Sequence, residues 1–215
     1  MRIGVLGTGT VGRKIATKLV GLGHEVMLGS RSADNPTAAE WVASTGPGAS
    51  QGTFADAAAH GELVFNCTPG PVSLEAMASV PSASLAGKTL VDVSNSLDLS
   101  SGFPVVVLSP TDSVAEQIQR AVTEAHVVKA LNTVNNEVMV DPGRVPGEHD
   151  LFVCGDDAAA KAEVVELLES FGWPKERIRD LGDLTGARAL EAYLVLWLRL
   201  RGLVGSGDVN IRVVS

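Results

Sequence analysis

The sequence predicts an α/β fold, a doubly wound parallel sheet followed by a small helical part at the C-terminus. Short apolar runs alternate with helical patterns over the first 155 residues. Such alternation is typical of parallel strands that are covered by helices on both faces. From residue 156 onward the pattern is mainly helical. We therefore predict a Rossmann-type domain over 1–155 and a helical C-terminal segment over 156–215.

Apolar periodicity predicts the individual elements. Strands are predicted over Arg2–Leu6, Glu25–Leu28, Leu63–Thr68, Thr89–Val93, Val127–Leu131, Leu151–Cys154 and Arg177–Leu181. Helices are predicted over Val11–Leu22, Ala38–Ser44 and Ser113–Thr123, and loops over Ser94–Phe103 and Asp141–Asp150. The third helix begins with a capping-box pattern, Ser113 and Glu116, and places Val114, Ile118 and Val122 on one face.

Two further helices are predicted in the C-terminal segment. The stretch DDAAAKAEVVELLESFG has two acids at its start and a glycine at its end, as helix capping and the helix dipole favour. The stretch TGARALEAYLVLWLRLRGL is apolar nearly all round between Ala189 and Leu200. Such a helix is buried on more than one side, so we expect it to pack on its own domain and on a partner subunit.

Composition excludes several classes of protein. The 215 residues carry a formal net charge of -8, which is poorly suited to binding a nucleic-acid backbone. Cys67 and Cys154 each lie within an apolar run, which is typical of reduced, buried thiols in a cytoplasmic protein. The longest apolar stretch is interrupted by Glu191, Arg199 and Arg201, so we expect no transmembrane span. No signal-peptide pattern precedes the first strand.

The motif Gly7-Thr8-Gly9-Thr10-Val11-Gly12 matches G-x-G-x-x-G between a predicted strand and a predicted helix. In this context Gly7 permits the tight turn, Gly9 lets the backbone approach a pyrophosphate, and Gly12 lets helix and strand pack closely. The first N–H groups of the helix then face the anion. We therefore predict a dinucleotide site, and the alternative is a glycine-rich turn without a ligand.

The second strand ends in Gly29-Ser30-Arg31, where an NAD-binding chain usually has an Asp or Glu for the ribose diol. A carboxylate would repel a 2′-phosphate, whereas Ser30 can donate a hydrogen bond to it and Arg31 offers a planar fork. We expect Gly29 to leave room for the ribose. These residues predict NADP(H) as the cofactor, and the alternative is that Arg31 is a solvated surface cation.

Small, uncharged polar residues follow the later strands, where ligands of such sheets bind. The candidate catalytic residues are Asn132 and Thr133, which could orient a carboxamide or a second substrate. Candidate cofactor-binding residues at these strand ends are Cys67, Thr68, Pro69, Asn95, Lys129 and Ala130. Lys129 could reach the site as a base, or pair locally. No Cys, His and carboxylate spacing indicates a metal.

No acid–base pair is evident, because the four histidines are scattered and none ends a strand. Reduction of a carbonyl normally needs an acid for the developing alkoxide. Transfer of hydride between two redox cofactors does not, since the protein then mainly holds two rings in contact. The sequence therefore favours an oxidoreductase that juxtaposes two rings.

The chain resembles the NADP oxidoreductases that depend on the deazaflavin coenzyme F420. The resemblance is carried by IGVLGTGTVGRKIATKLVGLGHEVMLGSR, VVKALNTV, FVCGDDAAAKAEVVELLESFG and DLGDLTGARALEAYLVLWLRL. It implies reversible hydride transfer between NADP and the deazaflavin, with Gly7–Gly12 cradling the nucleotide and Ser30 and Arg31 on the 2′-phosphate. It also implies a homodimer whose C-terminal helices help to form the deazaflavin pocket. Well-known members carry a His where this chain has Asn132.

Two alternatives stay open. An NADPH-dependent reductase of another acceptor, such as a flavin, a ferric chelate or a small imine or carbonyl, predicts a proton donor near Asn132 or Lys129. A non-catalytic NADP(H)-binding sensor predicts a slot closed by bulky side chains such as Met77, Met139 or Trp197.

Overall fold

The computed structural model describes residues 1–98, 105–107 and 111–214. The strands in this part of the chain are β1 (Arg2–Leu6), β2 (Glu25–Ser30), β3 (Ala49–Thr53), β4 (Leu63–Asn66), β5 (Thr89–Asp92), β6 (Leu97–Asp98), β7 (Val105–Val106), β8 (His126–Ala130), β9 (Leu151–Gly155) and β10 (Ile178–Asp180). The α-helices are α1 (Thr10–Gly21), α2 (Pro36–Thr45), α3 (Phe54–His60), α4 (Gly70–Ala78), α5 (Val114–Ala121), α6 (Asn136–Val140), α7 (Ala158–Phe171) and α8 (Ala187–Val204).

One sheet has the strand order β10-β9-β8-β5-β4-β1-β2-β3, and β6 pairs with β7 in a small antiparallel sheet. The predicted α/β class is confirmed. The main sheet is not wholly parallel, however, because β9 runs antiparallel to β8, and β10 runs parallel to β9. The chain between β8 and β9 contains only the short helix α6 and a 3-10 turn, and an antiparallel neighbour needs no long crossover. All residues of β9 are buried, so its sequence pattern does not show whether the strand runs parallel or antiparallel to β8.

The core lies on both faces of this sheet, as the doubly wound prediction requires. One cluster includes Ile15 of α1, Trp41 of α2 and Val164 of α7. The other includes Met77 of α4 and Ile118 of α5, together with residues of α3 and α8. No helix in the described ranges is long and apolar enough to cross a membrane.

Several elements were not predicted. Strand β3, with the sequence ASQGT, is only half buried at the edge of the sheet, so its apolar signal is weak. Helix α3 is short and begins with a reciprocal capping box between Thr53 and Asp56. Helix α4 begins with Gly70 and Pro71, which favour a turn when considered alone. The predicted loop Ser94–Phe103 contains β6, and its residues 99–103 lie outside the described residues.

The capping box predicted for α5 is half correct. The Ser113 hydroxyl accepts a hydrogen bond from the Glu116 N–H at 3.2 Å. The Glu116 carboxylate does not return the bond to the Ser113 N–H, which donates to Asp112 instead. The Glu116 carboxylate instead accepts two hydrogen bonds from the Arg188 guanidinium at the start of α8. These bonds join α5 and α8 at their N-terminal ends.

The C-terminal segment contributes to the sheet as well as to the helical layer. Helix α7 has Asp157 as its N-cap, and Gly172 ends it in the left-handed region, as predicted. Strand β10 then pairs with β9 at the edge of the sheet. Helix α8 buries Leu190 and Leu194 against the domain and exposes Val195 and Leu196. The domain boundary at residue 155 and the contact with a partner subunit stay predictions.

Candidate functional site

The direction of winding reverses between β1 and β4, and the glycine-rich turn lies there, at the carboxyl end of β1. Gly7 has a φ of 117°, which only glycine adopts readily, and its N–H donates to the Gly29 carbonyl. A β-carbon added at Gly12 would lie 2.0 Å from the Gly7 carbonyl oxygen. Packing within the protein therefore requires both of these glycines.

Gly9 differs from its two neighbours in the motif. A β-carbon added there would meet nothing within 4 Å. It is the N-cap of α1 and provides no side chain to the first N–H groups of that helix. No described residue requires glycine at this position. The space above it lies in the cavity lined by Gly7–Val11, where free N–H groups at a helix start can receive an anion.

Ser30 and Arg31 lie at the end of β2 and line the same cavity. The Ser30 hydroxyl donates to the Ser32 carbonyl at 2.5 Å and accepts from the Ser32 N–H, so it would have to turn to donate to a ligand. Arg31 is exposed and forms no hydrogen bond or ion pair within the described part of the chain. The role expected for Gly29 was wrong. Its α-carbon faces α3, where a β-carbon would lie 2.8 Å from that of Ala57.

The strand ends on the other side of the turn meet in the same cavity. Thr68 and Pro69 after β4, Asn95 after β5 and Asn132 after β8 all line it, and so does the side chain of Cys67. Burial raises the pKa of the Cys67 thiol, which therefore stays protonated. The other candidates, Gly12, Lys129, Ala130 and Thr133, do not line the cavity.

Asn132 is fixed in one orientation. Its Nδ2 donates to the Asn95 Oδ1 and to the Leu190 carbonyl, both at 3.0 Å. Since a carbonyl can only accept, the amide cannot flip without losing this bond. The Oδ1 atom is buried and has no partner within the described residues. Asn132 therefore presents an unpaired acceptor, and its donors are already used.

The backbone before Asn132 is unusual. Leu131 has a φ of 64°, a left-handed conformation that a branched side chain adopts only at a cost. The Leu131 side chain is completely buried, so packing holds it there. This turn ends β8 and directs Asn132 toward Asn95 and α8.

A buried network lies behind the strand ends. The Lys129 ammonium is 2.7 Å from Asp92 Oδ2, 2.6 Å from the Ser94 carbonyl and 2.9 Å from Glu191 Oε1. Burial alone would lower the pKa of Lys129, but the carboxylates of Asp92 and Glu191 outweigh it and hold the pKa above its ordinary value. Lys129 therefore pairs locally, which was one of its two expected roles, and all three of its donors are occupied.

Both carboxylates of this network also bind other groups. Asp92 Oδ1 accepts from Asn66 Nδ2 at 2.8 Å and from the Ser94 N–H at 3.1 Å. Asn66 Oδ1 in turn accepts the Thr68 hydroxyl at 2.6 Å. Glu191 accepts the first N–H groups of α5, where the helix dipole favours a negative charge. The network thus joins the ends of β4, β5 and β8 to α5 and α8.

The cavity has a volume of about 1300 Å³. Part of its lining was not among the predicted cofactor-binding residues. These lining residues include Val72, Glu75, Met139, Leu194, Trp197 and Arg201. Helix α4 was not predicted, and a contribution of the C-terminal helices was implied only by the family resemblance. Met139 and Trp197 were expected only in the sensor alternative, as side chains that close the slot. Leu194, Trp197 and Arg201 recur at intervals of three and four residues, which places them on one face of α8. This spacing is the signal in the sequence that could have identified these three residues as one lining face.

Comparison with known proteins agrees with this geometry. The fold is that of doubly wound dinucleotide-binding proteins, and the family described as NADP oxidoreductase, coenzyme F420-dependent, matches residues 2–96. The F420-dependent NADP reductase of Methanocaldococcus jannaschii is 32% identical over 74% of this chain and 71% of its own length. The chain belongs to this family of oxidoreductases, whose redox partners are NADP(H) and coenzyme F420.

Two other relatives extend the comparison. A solved structure from Arthrobacter sp. FB24, provisionally named an F420-dependent NADP reductase, is 47% identical with a TM-score of 0.92 and covers 99% of both chains. The metalloreductase STEAP3 of Rattus norvegicus is 34% identical over 89% of this chain. This chain spans only 36% of the length of STEAP3.

Gly9→Val tests the proposed pyrophosphate cradle. We expect thermal stability close to that of the wild type, since the new side chain meets open space. NADPH binding, measured by fluorescence titration, should be lost because the side chain fills the space of the ligand. Gly21→Val is the matched control, because Gly21 lies on the same helix and also has open space around it. Retention of NADPH affinity by Gly9→Val would show that the turn is not the cradle.

Lys129→Met tests the buried network. It leaves two carboxylates without their cation, and removing one partner of a buried pair costs about 3–5 kcal/mol of unfolding free energy. Lys14→Met is the control, because Lys14 pairs with Glu137 at the surface, where such pairs contribute about 1 kcal/mol or less. Chemical denaturation measures both variants. Equal stability of the two would contradict the proposed importance of the network.

Proposed function

We propose that the protein transfers hydride between NADP(H) and coenzyme F420 by holding the two rings in contact, without a dedicated acid or base. The observation that carries the proposal is the continuity of the cavity. It extends from the glycine-rich turn and Arg31, past uncharged strand ends, to one face of α8. Its volume of about 1300 Å³ exceeds the roughly 300–1000 Å³ of an ordinary small-molecule site. There is room for a dinucleotide and a second ring.

The nucleotide would occupy the end of the cavity at β1 and β2. The open space above Gly9 fits a pyrophosphate, and the unpaired Arg31 fits a 2′-phosphate. Thr68, Pro69 and Asn95 would line the nicotinamide riboside. The Asn132 Oδ1, which is buried and without a partner, fits the amide N–H₂ of a carboxamide. We propose Asn132 as the residue that orients the nicotinamide.

When bound, the nicotinamide and the deazaflavin supply the redox chemistry, a reversible hydride transfer between ring carbons with uptake of one solvent proton by the reduced deazaflavin. The protein contributes positioning, which requires the reacting carbons to be about 3–3.5 Å apart. Asn132 acts as a fixed acceptor, and the apolar side chains of Val93, Leu194 and Trp197 exclude water.

The ionisable lining supports a mechanism without a protein acid. Apart from the Cys67 thiol, the ionisable side chains that line the cavity in the described part of the chain are Arg31, Glu75 and Arg201. Guanidinium groups do not release protons at neutral pH. Glu75 is an exposed residue of α4. It lies more than one helical turn beyond Gly70, where this helix begins. Lys129, the donor that reduction of a carbonyl would require, has three acceptors and does not line the cavity.

The alternatives are less well supported. The observation that supports an NADPH-dependent reductase of another acceptor is the similarity to a protein named metalloreductase. This similarity extends over 89% of this chain. A non-catalytic sensor requires a closed slot. Met139 and Trp197 line the cavity without closing it, and Met77 does not line it.

The oligomeric state and the cellular location of the enzyme are also part of the proposal. The exposed apolar residues Val195, Leu196, Leu203 and Val204 on α8 support a homodimer formed through this helix. Both cysteines are free, which supports a reducing, cytoplasmic environment.

Single-turnover mixing of the protein with NADPH and oxidised F420 tests the function. We expect rapid loss of the visible absorbance of the deazaflavin, and a much slower loss with NADH. A flavin and a ferric chelate are tested in parallel as acceptors. Tight binding of NADPH without bleaching of F420 would overturn the proposal and favour another acceptor or a sensor.

Arg31→Ala tests the choice of cofactor. A charge-assisted hydrogen bond contributes about 1.5–3 kcal/mol, so NADPH affinity should fall roughly 10- to 100-fold. NADH has no 2′-phosphate, and its affinity should change little. Titration of both nucleotides measures the difference. The same loss for NADH would leave Arg31 without a role at the 2′-phosphate.

A further inference from the structure

A second arginine, Arg201 on α8, also lines the cavity. In the sheet β1, β4 and β5 separate β2, which precedes Arg31, from β8, which precedes Asn132. Helix α8 contacts Asn132 through the Leu190 carbonyl. Arg201 lies eleven residues beyond Leu190, or about 16 Å along a helix axis. Arg201 therefore lies on the helix that contacts Asn132, whereas Arg31 follows a strand that three other strands separate from β8.

Arg201 has no carboxylate partner within the described residues. The same is true of Arg13, Arg31 and Arg199, but of these four only Arg31 and Arg201 line the cavity. Arginines of this acidic chain commonly form ion pairs, as Arg2, Arg120, Arg144, Arg177, Arg179, Arg188 and Arg212 do. Within the described residues, Arg201 and Arg31 form no such pair, and both line the cavity. A cation that lines a cavity and has no internal partner is available to a ligand.

The guanidinium of Arg201 is also oriented. Its central carbon lies 5.8 Å from the centre of the Trp197 ring. Trp197 is buried, and its Nε1 donates to the Val209 carbonyl, which fixes the ring. A cation–π contact with a fixed aromatic ring leaves the planar fork free to receive a phosphate or carboxylate, and it reduces the entropy that the side chain loses on binding.

We propose that Arg201, held in a cation–π contact with Trp197, binds an anionic group of the second substrate, a phosphate or a carboxylate on the side chain of its ring system. This inference rests on the proposed function, since it places the ring between Asn132 and Trp197. A net charge of -8 repels anionic substrates in general, so a local cation is needed to hold one. The site then selects charged ring compounds over neutral ones of the same shape.

Equilibrium binding of F420, followed by its fluorescence with saturating NADP⁺, tests the subsite without requiring turnover. NADP⁺ occupies the end with Arg31, so F420 cannot bind there. Arg201→Gln should weaken F420 binding about tenfold or more. Arg199→Gln is the matched control. Arg199 lies exposed on the same helix, forms no ion pair with any described residue and does not line the cavity. Circular dichroism checks that both variants are folded.

Three ligands identify the anionic group. They are intact F420, F420 without its terminal glutamates but with its phosphodiester, and the neutral deazaflavin chromophore. Loss of discrimination in Arg201→Gln between the first two ligands indicates a carboxylate, and loss only between the last two indicates the phosphate. Added salt should weaken F420 binding to the wild type more than to Arg201→Gln.

The outcomes separate this inference from the proposed function. Unchanged F420 affinity in Arg201→Gln, or an equal loss in Arg199→Gln, would overturn the subsite. F420 binding that depends on Arg201 without bleaching would support the subsite and overturn hydride transfer. A wild-type protein that does not bind F420 would overturn both.

Discussion

The position of a single buried ammonium group, that of Lys129, determines much of this structure. Three strand ends and two helices meet at a point where no water is available, and Lys129 supplies the positive charge that allows Asp92 and Glu191 to be there together. Glu191 comes from α8, so the C-terminal helix is bound to the centre of the sheet through a charge and not only through apolar contact. The unpaired oxygen of Asn132 is held in place by α8 next to this contact.

The glycines of the turn divide into two groups. Gly7 and Gly12 are needed by the protein itself, whereas Gly9 has empty space where a side chain would be. The packing of the turn therefore does not account for a glycine at position 9. Arg31 and the Oδ1 of Asn132 follow the same pattern, because each is a polar group without a partner in the described residues. Both Arg31 and Asn132 line the cavity, so these two unpaired groups are available to its ligands.

The sequence was sufficient to predict the α/β class, the glycine-rich turn and the strand ends that line the cavity, because these depend on local periodicity and turn chemistry. It did not predict the direction of β9, since a fully buried strand looks the same in either orientation. It left the role of Lys129 open, because the partners of Lys129 are 37 and 62 residues away. Helix α4 was missed because Gly70 and Pro71 favour a turn until tertiary contacts, such as that of Gly70 with Asn95, are known.

The left-handed backbone of Leu131 has a consequence for inactivation by heat. A branched residue at a φ of 64° is held there only by its surroundings, at a cost of about 1–3 kcal/mol. When the contact between β8 and α8 loosens, Leu131 can relax to an ordinary conformation and turn Asn132 away from the cavity. We expect the geometry of the site to be lost at a lower temperature than the sheet, so that loss of activity precedes global unfolding.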